Sequence, residues 1–202
     1  MLKKNQMEEV AALYSEKYYL DNYRDYSWET LQNEYRQTAS RIVEIFNPTT
    51  LLDVGCARGY LVKALLEKGV DASGIDASEY ATSNPVDGTY GRVRWGFIQD
   101  ILWPDGVVDT VTAFDILEHI PEEDADRACA ELIRVASRLV IINLITLESP
   151  DYADPTHITV KPRQWWIDKL LKHGGALVPF EGYGKPYVWW LNVPERSIVI
   201  KK

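Results

Sequence analysis

One short segment constrains the fold more than any other part of the chain. An apolar run over residues 50–54 leads into a turn with Gly55 at its start and Gly59 at its end, and a helical apolar pattern follows. Glycine lets a backbone adopt positive φ and approach a ligand closely, and the next helix begins with N–H groups that no helical carbonyl accepts. A strand, a tight turn and a helix in this order predict the first unit of an open α/β sheet, with a ligand beyond the carboxyl ends of its strands.

Strand and helix patterns alternate after residue 47, which predicts a doubly wound, mostly parallel α/β sheet with helices on both faces. The predicted strands cover residues 50–54, 72–76, 94–99, 107–114 and 138–143, and the main predicted helices cover 30–46, 121–135 and 162–173. Residues 177–180 and 197–201 predict an antiparallel pair at the edge of the sheet. We interpret the 202 residues as one domain, with a helical head or lid (1–29), a cofactor-binding core (30–143) and an acceptor-side cap with closing strands (144–202).

Composition narrows the function classes. The formal net charge of −8 disfavours nucleic acid as a partner, because an acidic protein repels a phosphate backbone. Cysteine occurs only at positions 56 and 129, which favours a reducing compartment. No apolar stretch has the length that a membrane span needs, and the first residues lack the apolar core of a signal peptide. The sequence therefore predicts a cytoplasmic monomer or homodimer without nucleic-acid or membrane partners.

Acidic residues end successive predicted strands. Asp76 closes the second strand, where a carboxylate can accept hydrogen bonds from both hydroxyls of a ribose. A nicotinamide dinucleotide requires the spacing G-x-G-x-x-G, but Ala57 and Tyr60 occupy the second and third glycine positions. A pyrophosphate would also lie beside Asp53, whereas an ammonium or sulfonium group would be attracted to it. The pattern therefore favours a positively charged cofactor over a dinucleotide.

Several ordered segments together resemble class I S-adenosylmethionine-dependent methyltransferases. These segments are Leu51-Leu52-Asp53-Val54-Gly55-Cys56-Ala57-Arg58-Gly59, Gly74-Ile75-Asp76, Gln99-Asp100 and Phe114-Asp115-Ile116-Leu117-Glu118-His119. The resemblance covers roughly residues 30 to 143 and implies a Rossmann-like fold and S-adenosylmethionine as the cofactor, with S-adenosylhomocysteine as its product. One departure is Ala57, where the family often has glycine.

The resemblance also implies roles for individual residues. The loop Gly55-Cys56-Ala57-Arg58-Gly59 would hold the methionine portion, and Asp53 would lie near its ammonium group. Asp76, followed by Ala77, would bind the ribose, and Asp100 with the backbone of Ile101 would contact the adenine. The Phe114 carbonyl would face the ammonium group, with Asp115 beside it.

The methyl acceptor must lose a proton when it is a hydroxyl or an ammonium, which calls for a base that works near neutral pH. His119 follows the fourth predicted strand and His157 follows the fifth, and Asp154 could orient His157. Each of the three could instead have a structural role. His173, at a predicted helix end, is interpreted as a cap, and no cysteine and histidine spacing suggests a metal site.

Aromatic side chains complete the predicted site. A tyrosine-rich head (residues 14–26) is interpreted as a lid over the cofactor, with Tyr18 or Tyr19 inside, although it could be an amphipathic helix packed on the domain. Trp165 and Trp166, like Trp189 and Trp190, are expected beside the acceptor entrance, and at most one of each pair can face it.

These observations predict transfer of a methyl group to an oxygen, nitrogen or carbon nucleophile of a small molecule, such as a sugar or a secondary metabolite. Two other classes remain open. One is a nicotinamide-dependent reductase, and the other is a non-catalytic S-adenosylmethionine sensor or scaffold. A compact protein methyltransferase would have a similar sequence.

Overall fold

A computed structural model of the chain describes residues 12–21, 26–149, 156–179 and 196–202. Its strands are β1 (Thr50–Val54), β2 (Asp71–Asp76), β3 (Val93–Trp95), β4 (Val108–Phe114), β5 (Ala136–Asn143), β6 (Ala176–Leu177) and β7 (Ser197–Lys201). Its helices are α1 (Glu16–Asp21), α2 (Trp28–Phe46), α3 (Tyr60–Leu66), α4 (Glu79–Ser83), α5 (Ala125–Val135) and α6 (Arg163–Lys172).

Within the described residues the strands form one seven-stranded sheet in the order β3-β2-β1-β4-β5-β7-β6. The pairs among β1 to β5 are parallel, and β7 is antiparallel to both β5 and β6. The predicted mostly parallel sheet with an antiparallel edge is therefore confirmed. The strand order reverses between β1 and β4, and ligands of open α/β sheets bind in the crevice at such a reversal.

Buried side chains cover both faces of the sheet. On one face, β1 contributes Leu52 and Val54 to a large apolar cluster that includes residues of α5 and α6. On the other face, Leu51 packs with a second cluster that includes residues of α2 and α3. Successive side chains of a strand point to opposite faces, so strands covered on both sides become continuous apolar runs.

Helix ends follow ordinary capping chemistry. Ser27 precedes α2 and its hydroxyl accepts a hydrogen bond from the Thr30 N–H at 3.3 Å. Asn47 ends the same helix with a left-handed φ of 45°. Among the described residues, no helix is both long enough and apolar enough to cross a bilayer.

Two predicted boundaries are wrong in ways that affect the site. Strand β3 ends at Trp95 and does not reach residue 99, because the chain turns after Gly96 and the Asp100 N–H donates to the Phe97 carbonyl at 3.1 Å. Pro121 precedes a short 3-10 turn, Glu122–Asp124, and does not begin a continuous helix, since its ψ of 142° is extended.

Candidate active site

A cavity of about 610 Å³ lies where the carboxyl ends of β1, β2 and β4 meet. This volume falls within the range of about 300–1,000 Å³ that small-molecule sites occupy. Its wall includes residues of the β1–α3 loop, the end of β2, the segment after β3 and the end of β4. It also includes tyrosines of the head and His119, His157 and Arg196. The cavity therefore lies at the reversal of strand order.

The β1–α3 loop adopts a conformation that explains its glycines. Gly55 and Gly59 have φ values of 82° and 81°, and Ala57 has 47°, so three of five loop residues are left-handed. A Cβ on Gly55 would lie 2.7 Å from the Ile116 Cδ1, so a side chain at this position would require Ile116 or the loop to shift. Ala57 shows that the loop tolerates a methyl group at the position where the class I methyltransferases that this sequence resembles often have glycine.

Asp76 stabilises this loop directly. One of its carboxylate oxygens accepts a hydrogen bond from the Ala57 N–H, and the other accepts one from the Ser78 N–H, both at 2.7 Å. The N–H groups of Gly55 and Cys56 both donate to the Ile75 carbonyl, at 2.8 and 3.0 Å. These loop N–H groups are therefore engaged within the protein, which fits a cofactor without phosphate. A carboxylate has about four acceptor positions, so Asp76 retains capacity for hydroxyl donors.

Two further carboxylates line the cavity. Asp53 is buried and accepts a hydrogen bond from the Thr112 hydroxyl at 2.7 Å, and its burial raises its pKa to about 7. Asp115, directly after β4, has a left-handed φ of 49° and an exposed side chain, and partial desolvation by the surrounding protein raises its pKa to about 6 while the positive charge of Arg196 acts in the opposite direction. A raised carboxyl pKa means that the ionised form lacks enough compensating positive charge or hydrogen bonds.

The carboxylates together make the cavity suited to a cation. Glu34 lies in the wall together with Asp53, Asp76 and Asp115. Among the described lining residues, Arg196 is the only arginine. S-adenosylmethionine carries an ammonium group, a sulfonium group and a ribose diol, and no phosphate. The donor set fits this cofactor, because carboxylates that line a cavity favour a positively charged ligand and Asp76 can accept from the diol.

The predicted adenine contacts lie outside the cavity wall. Because β3 is short, Asp100 lies on the surface, where its carboxylate is 3.7 Å from the Arg127 guanidinium. The Ile101 N–H donates to the Glu131 carboxylate at 2.8 Å. The wall in this region is instead formed by Phe97, Ile98 and Gln99, with Ala77 nearby on the β2 side. Gly59 also lies outside the wall and caps α3.

The tyrosine-rich head covers one side of the cavity. Tyr14, Tyr18, Tyr19 and Tyr26 all line it, and Tyr19 is buried. The Ser78 hydroxyl donates to the Tyr14 carbonyl at 2.5 Å and ties the head to the end of β2. This contact places the head beside Asp76, whose carboxylate accepts from the Ser78 N–H.

Both predicted histidines line the cavity next to the head, and the ring centre of His119 lies 6.0 Å from that of Tyr14. Their rings, those of His119 and His157, lie 4.7 Å apart in an edge-to-face arrangement. The His119 Nδ1 is 3.1 Å from the Thr156 carbonyl oxygen. Asp154, predicted to orient His157, lies outside the described residues. The fold thus brings together two histidines that are 38 positions apart in the sequence.

Sequence reasoning missed Glu118 as a site residue. This side chain is fully buried, and one carboxylate oxygen accepts a hydrogen bond from the Ile145 N–H at 2.7 Å. The Glu118 carbonyl accepts from the Thr159 N–H at 2.9 Å. Glu118 therefore connects the end of β4 to the segment that carries His157. The sequence included Glu118 in the segment from Phe114 to His119 that resembles the methyltransferase family, but it assigned this residue no role.

The predicted aromatic entrance is not formed by Trp165 and Trp166. Trp166 is buried in the core cluster, and Trp165 packs against that cluster with the Lys169 ammonium 4.3 Å from its ring centre. Neither lines the cavity, because α6 packs on α5 and does not extend over the sheet end. Trp189 and Trp190 lie outside the described residues. His173 ends α6 as expected and contacts Asp126 at 3.3 Å.

Comparison with known sequences matches this chain to methyltransferases. A family model described as a methyltransferase domain matches residues 27–166. The ubiquinone biosynthesis O-methyltransferase of Alkalilimnicola ehrlichii is 29% identical over 103 residues, which cover 46% of this chain and 41% of that protein. The enzyme of the same name from Bordetella avium is 32% identical over 94 residues, covering 42% and 38%. The matches span about two fifths of the length of these curated relatives.

Solved structures show the same fold. The magnesium protoporphyrin IX methyltransferase of Synechocystis, solved with bound S-adenosylhomocysteine, superimposes with a TM-score of 0.61 at 17% identity and covers 92% of this chain and 90% of its own. An S-adenosylmethionine-dependent methyltransferase from Archaeoglobus fulgidus gives a TM-score of 0.59 at 17% identity, covering 87% and 97%. At these identities the likeness concerns the fold alone.

Proposed function

Because this chain belongs to the methyltransferase domain family, we propose that it transfers the methyl group of S-adenosylmethionine to a small-molecule acceptor at the His119 end of the cavity. The observation that carries the proposal is the set of carboxylates, with Asp53 buried among them, that line one cavity at the strand-order reversal. A neutral or anionic cofactor would leave these charges uncompensated. A sulfonium cofactor compensates them.

Each part of the cofactor has a suitable group in the wall. Asp76 would accept from the ribose hydroxyls while it holds the Ala57 and Ser78 N–H groups. Asp53 and the Phe114 carbonyl would face the ammonium group. Phe97 and Gln99 would lie beside the adenine, in place of the predicted Asp100 and Ile101.

Methyl transfer from a sulfonium is an in-line displacement, and the bound cofactor supplies an already activated methyl group. The lone pair of the acceptor atom forms the new bond to the methyl carbon, and the electron pair of the broken C–S bond stays on sulfur. The proton of a hydroxyl acceptor would pass to a histidine nitrogen, for which His119 and His157 are the candidates. The walls of the cavity hold the two reactants together and exclude water, an orientation effect that can reach about 7–11 kcal/mol.

The acceptor class follows from the cavity wall and from the relatives. The relatives are named O-methyltransferases, which supports an oxygen nucleophile. Tyr14, Tyr18 and Ile145 give the wall apolar and aromatic surface near the histidines. We therefore favour a hydroxylated small molecule with an apolar body, such as an aromatic secondary metabolite, over a sugar.

Calorimetric titration with S-adenosylmethionine and S-adenosylhomocysteine tests the cofactor assignment. Two matched variants sharpen it, Asp76→Asn in the wall and Asp100→Asn on the surface. We expect Asp76→Asn to weaken binding about tenfold or more, because it removes charge-assisted hydrogen bonds. Asp100→Asn should bind like the unchanged protein.

Three results would contradict parts of this assignment. A folded protein that binds neither compound would refute the proposed function. Loss of binding in Asp100→Asn would return the adenine contact to the position expected from the sequence. Tight cofactor binding without any methylated product, across a panel of hydroxylated aromatic acceptors, would favour a sensor or scaffold.

A further inference from the structure

Glu118 is a buried carboxylate in which one of the two oxygens lacks a hydrogen-bond donor among the described residues. It is fully buried, and its Oε1 accepts the Ile145 N–H at 2.7 Å. Its Oε2 is also buried and has no hydrogen-bond partner among the described residues. A buried carboxylate oxygen without a donor is costly. Such an oxygen indicates a ligand that supplies positive charge.

The hydrogen bond of His119 fixes its tautomer. A carbonyl oxygen can only accept, so the His119 Nδ1 carries the proton in its 3.1 Å contact with the Thr156 carbonyl. In the neutral ring the Nε2 then has the lone pair. Histidines that bind metals commonly donate their other N–H to a backbone carbonyl or a carboxylate, which orients the ring. The Thr156 contact supplies this arrangement.

His157 completes a group of three. Its ring lies 4.7 Å from that of His119, and its Nδ1 is buried without a hydrogen-bond partner among the described residues. One potential ligand atom from each of Glu118, His119 and His157 lies within 4.8 Å of the other two. Ligand atoms about 2.0–2.2 Å from a shared ion lie somewhat closer together than this limit. Small side-chain rotations would therefore bring all three to one ion.

We infer that Glu118, His119 and His157 form a binding site for a divalent first-row transition-metal ion at the acceptor end of the cavity. Two imidazoles and one carboxylate suit such ions better than Mg²⁺ or Ca²⁺, which prefer oxygen ligands. Three protein ligands leave coordination positions open for a substrate. No sequence motif of closely spaced cysteines or histidines indicates this site, because its three ligands come from two separate segments of the chain.

The electrostatics agree with the geometry. The Glu118 carboxylate is fully buried, and only one of its two oxygens accepts a hydrogen bond from the described residues. A divalent cation beside the carboxylate would favour the ionised form and satisfy the second oxygen. The site would thereby convert a destabilising buried acid into a ligand.

The ion would act on the acceptor, and this part of the inference rests on the proposed function. A hydroxyl oxygen of the acceptor would occupy an open coordination position, where the ion lowers the hydroxyl pKa. The acceptor would give up this proton to bulk water as it enters the cavity, and its oxygen would then form the bond to the methyl carbon while the electron pair of the C–S bond stays on sulfur. His119 and His157 would then act as ligands and not as proton acceptors.

Metal titration of the purified full chain tests the site without a methyl acceptor. After treatment with a chelator, Mn²⁺ is titrated by calorimetry and Co²⁺ by its visible absorption, which reports nitrogen coordination. Glu118→Gln keeps an acceptor for the Ile145 N–H, and His157→Ala removes one ligand from the cavity edge. His173→Ala is the matched control, because it removes a histidine at the end of α6, which does not line the cavity.

We expect one ion per chain in the unchanged protein and in His173→Ala, and an affinity about tenfold or more lower in Glu118→Gln and His157→Ala. If the unchanged protein takes up no ion, or if His157→Ala binds it equally well, the inference is overturned. S-adenosylhomocysteine binding is measured on the same samples. If the unchanged protein binds S-adenosylhomocysteine but takes up no metal ion, the metal site alone is refuted. If the unchanged protein does not bind S-adenosylhomocysteine, the proposed function is refuted.

Discussion

The cofactor side and the acceptor side of the cavity are assembled in different ways. The cofactor side comes largely from residues 53–77, where loop N–H groups bond to Ile75 and Asp76 and the adjoining strands pair in parallel. The acceptor side comes from separate segments that contribute His119, Ile145 and His157. Single polar contacts, such as that of Glu118 with the Ile145 N–H, hold those segments together.

Because of this difference, cofactor binding and methyl transfer should depend on different parts of the chain. A continuous segment keeps its geometry through backbone hydrogen bonds and burial, so changes on the acceptor side should leave cofactor binding intact. Changes within the loop should instead affect stability and cofactor affinity together. A substitution on one side should therefore leave the measured property of the other side unchanged.

The largest effect is expected for the histidines of the acceptor side. Replacing His157 by alanine should lower the rate of methyl transfer about 10²-fold or more, because a side chain that accepts the acceptor proton, or that holds the ion which lowers the acceptor pKa, contributes about 10²–10⁴-fold. S-adenosylmethionine affinity, measured by calorimetry, should stay within about twofold, since the ribose and ammonium contacts are on the other side. Steady-state kinetics with saturating cofactor provide the measurement.

His173→Ala is the control for this experiment, since it also removes an imidazole but lies at the end of α6. It should leave the rate unchanged. Equal rate losses in both variants would show that the effect is on folding. A large loss of cofactor affinity in His157→Ala would show that the two sides are not separable.

Gly55→Ala is expected to have the next largest effect. The left-handed φ of 82° costs an alanine about 1–2 kcal/mol, and the contact with Ile116 at 2.7 Å adds an overpacking cost of about 1–3 kcal/mol. Gly69→Ala has the same φ region, at 83°, with nothing within 4 Å of the new Cβ. Urea unfolding should therefore show a clearly larger loss for Gly55→Ala. Equal losses would mean that the loop can move away from Ile116.

The contrast also explains what the sequence could predict. The turn from Gly55 to Gly59 and the acid Asp76 lie within a short stretch, so their spacing alone indicated a strand, a ligand loop and a ribose contact. The structure places Asp100 on the surface, because the chain turns after Gly96 and the strand is shorter than its sequence pattern indicated, so the predicted adenine contact of Asp100 stays a prediction.

The acceptor side could be predicted only in part. His119 and His157 were candidates as individual residues, but only the fold brings their rings to 4.7 Å. Glu118 attracted no prediction, since a buried acid is recognisable only from its burial. Trp166 was expected near the entrance because aromatic residues line many binding sites, yet the same apolar surface equally suits the core in which it lies.

The pH dependence of cofactor binding should test the charge of the cofactor side. The Asp53 pKa is raised from 3.8 to about 7, so the folded protein retains a proton that the unfolded chain loses between these values. This contribution to stability is fully present below pH 4 and is lost as the pH rises through about 7. Binding of a cation prefers the ionised carboxylate, so S-adenosylmethionine affinity should rise over the same range, by at most about tenfold per pH unit.

Asp53→Asn separates this effect from other titrations. The Thr112 hydroxyl can still donate to the amide oxygen, so the fold should persist while the pH dependence between about pH 5 and 7 decreases. The remaining slope belongs to Asp115, whose pKa is about 6, and to Asp76, whose pKa is also raised by burial. Asp100→Asn should keep the full slope. If the pH dependence of S-adenosylmethionine affinity were identical in Asp53→Asn and in the unchanged protein, Asp53 would be excluded as a group that interacts with the cofactor charge.

The smallest effect compares two buried hydroxyls, one on each side. Thr159 donates to the Ile120 carbonyl at 2.6 Å and fastens the segment that carries His157, whereas Thr112 donates to Asp53 at 2.7 Å. Valine has nearly the same shape, so each substitution removes one hydrogen bond and should cost about 1 kcal/mol of unfolding free energy. Thr112→Val should in addition raise the Asp53 pKa and weaken S-adenosylmethionine binding at neutral pH. Thr159→Val should lower the methyl-transfer rate and leave that affinity unchanged, because its lost bond lies on the acceptor side. If both variants weakened the cofactor equally, the acceptor segment would contribute to cofactor binding and the two sides would form one cooperative unit.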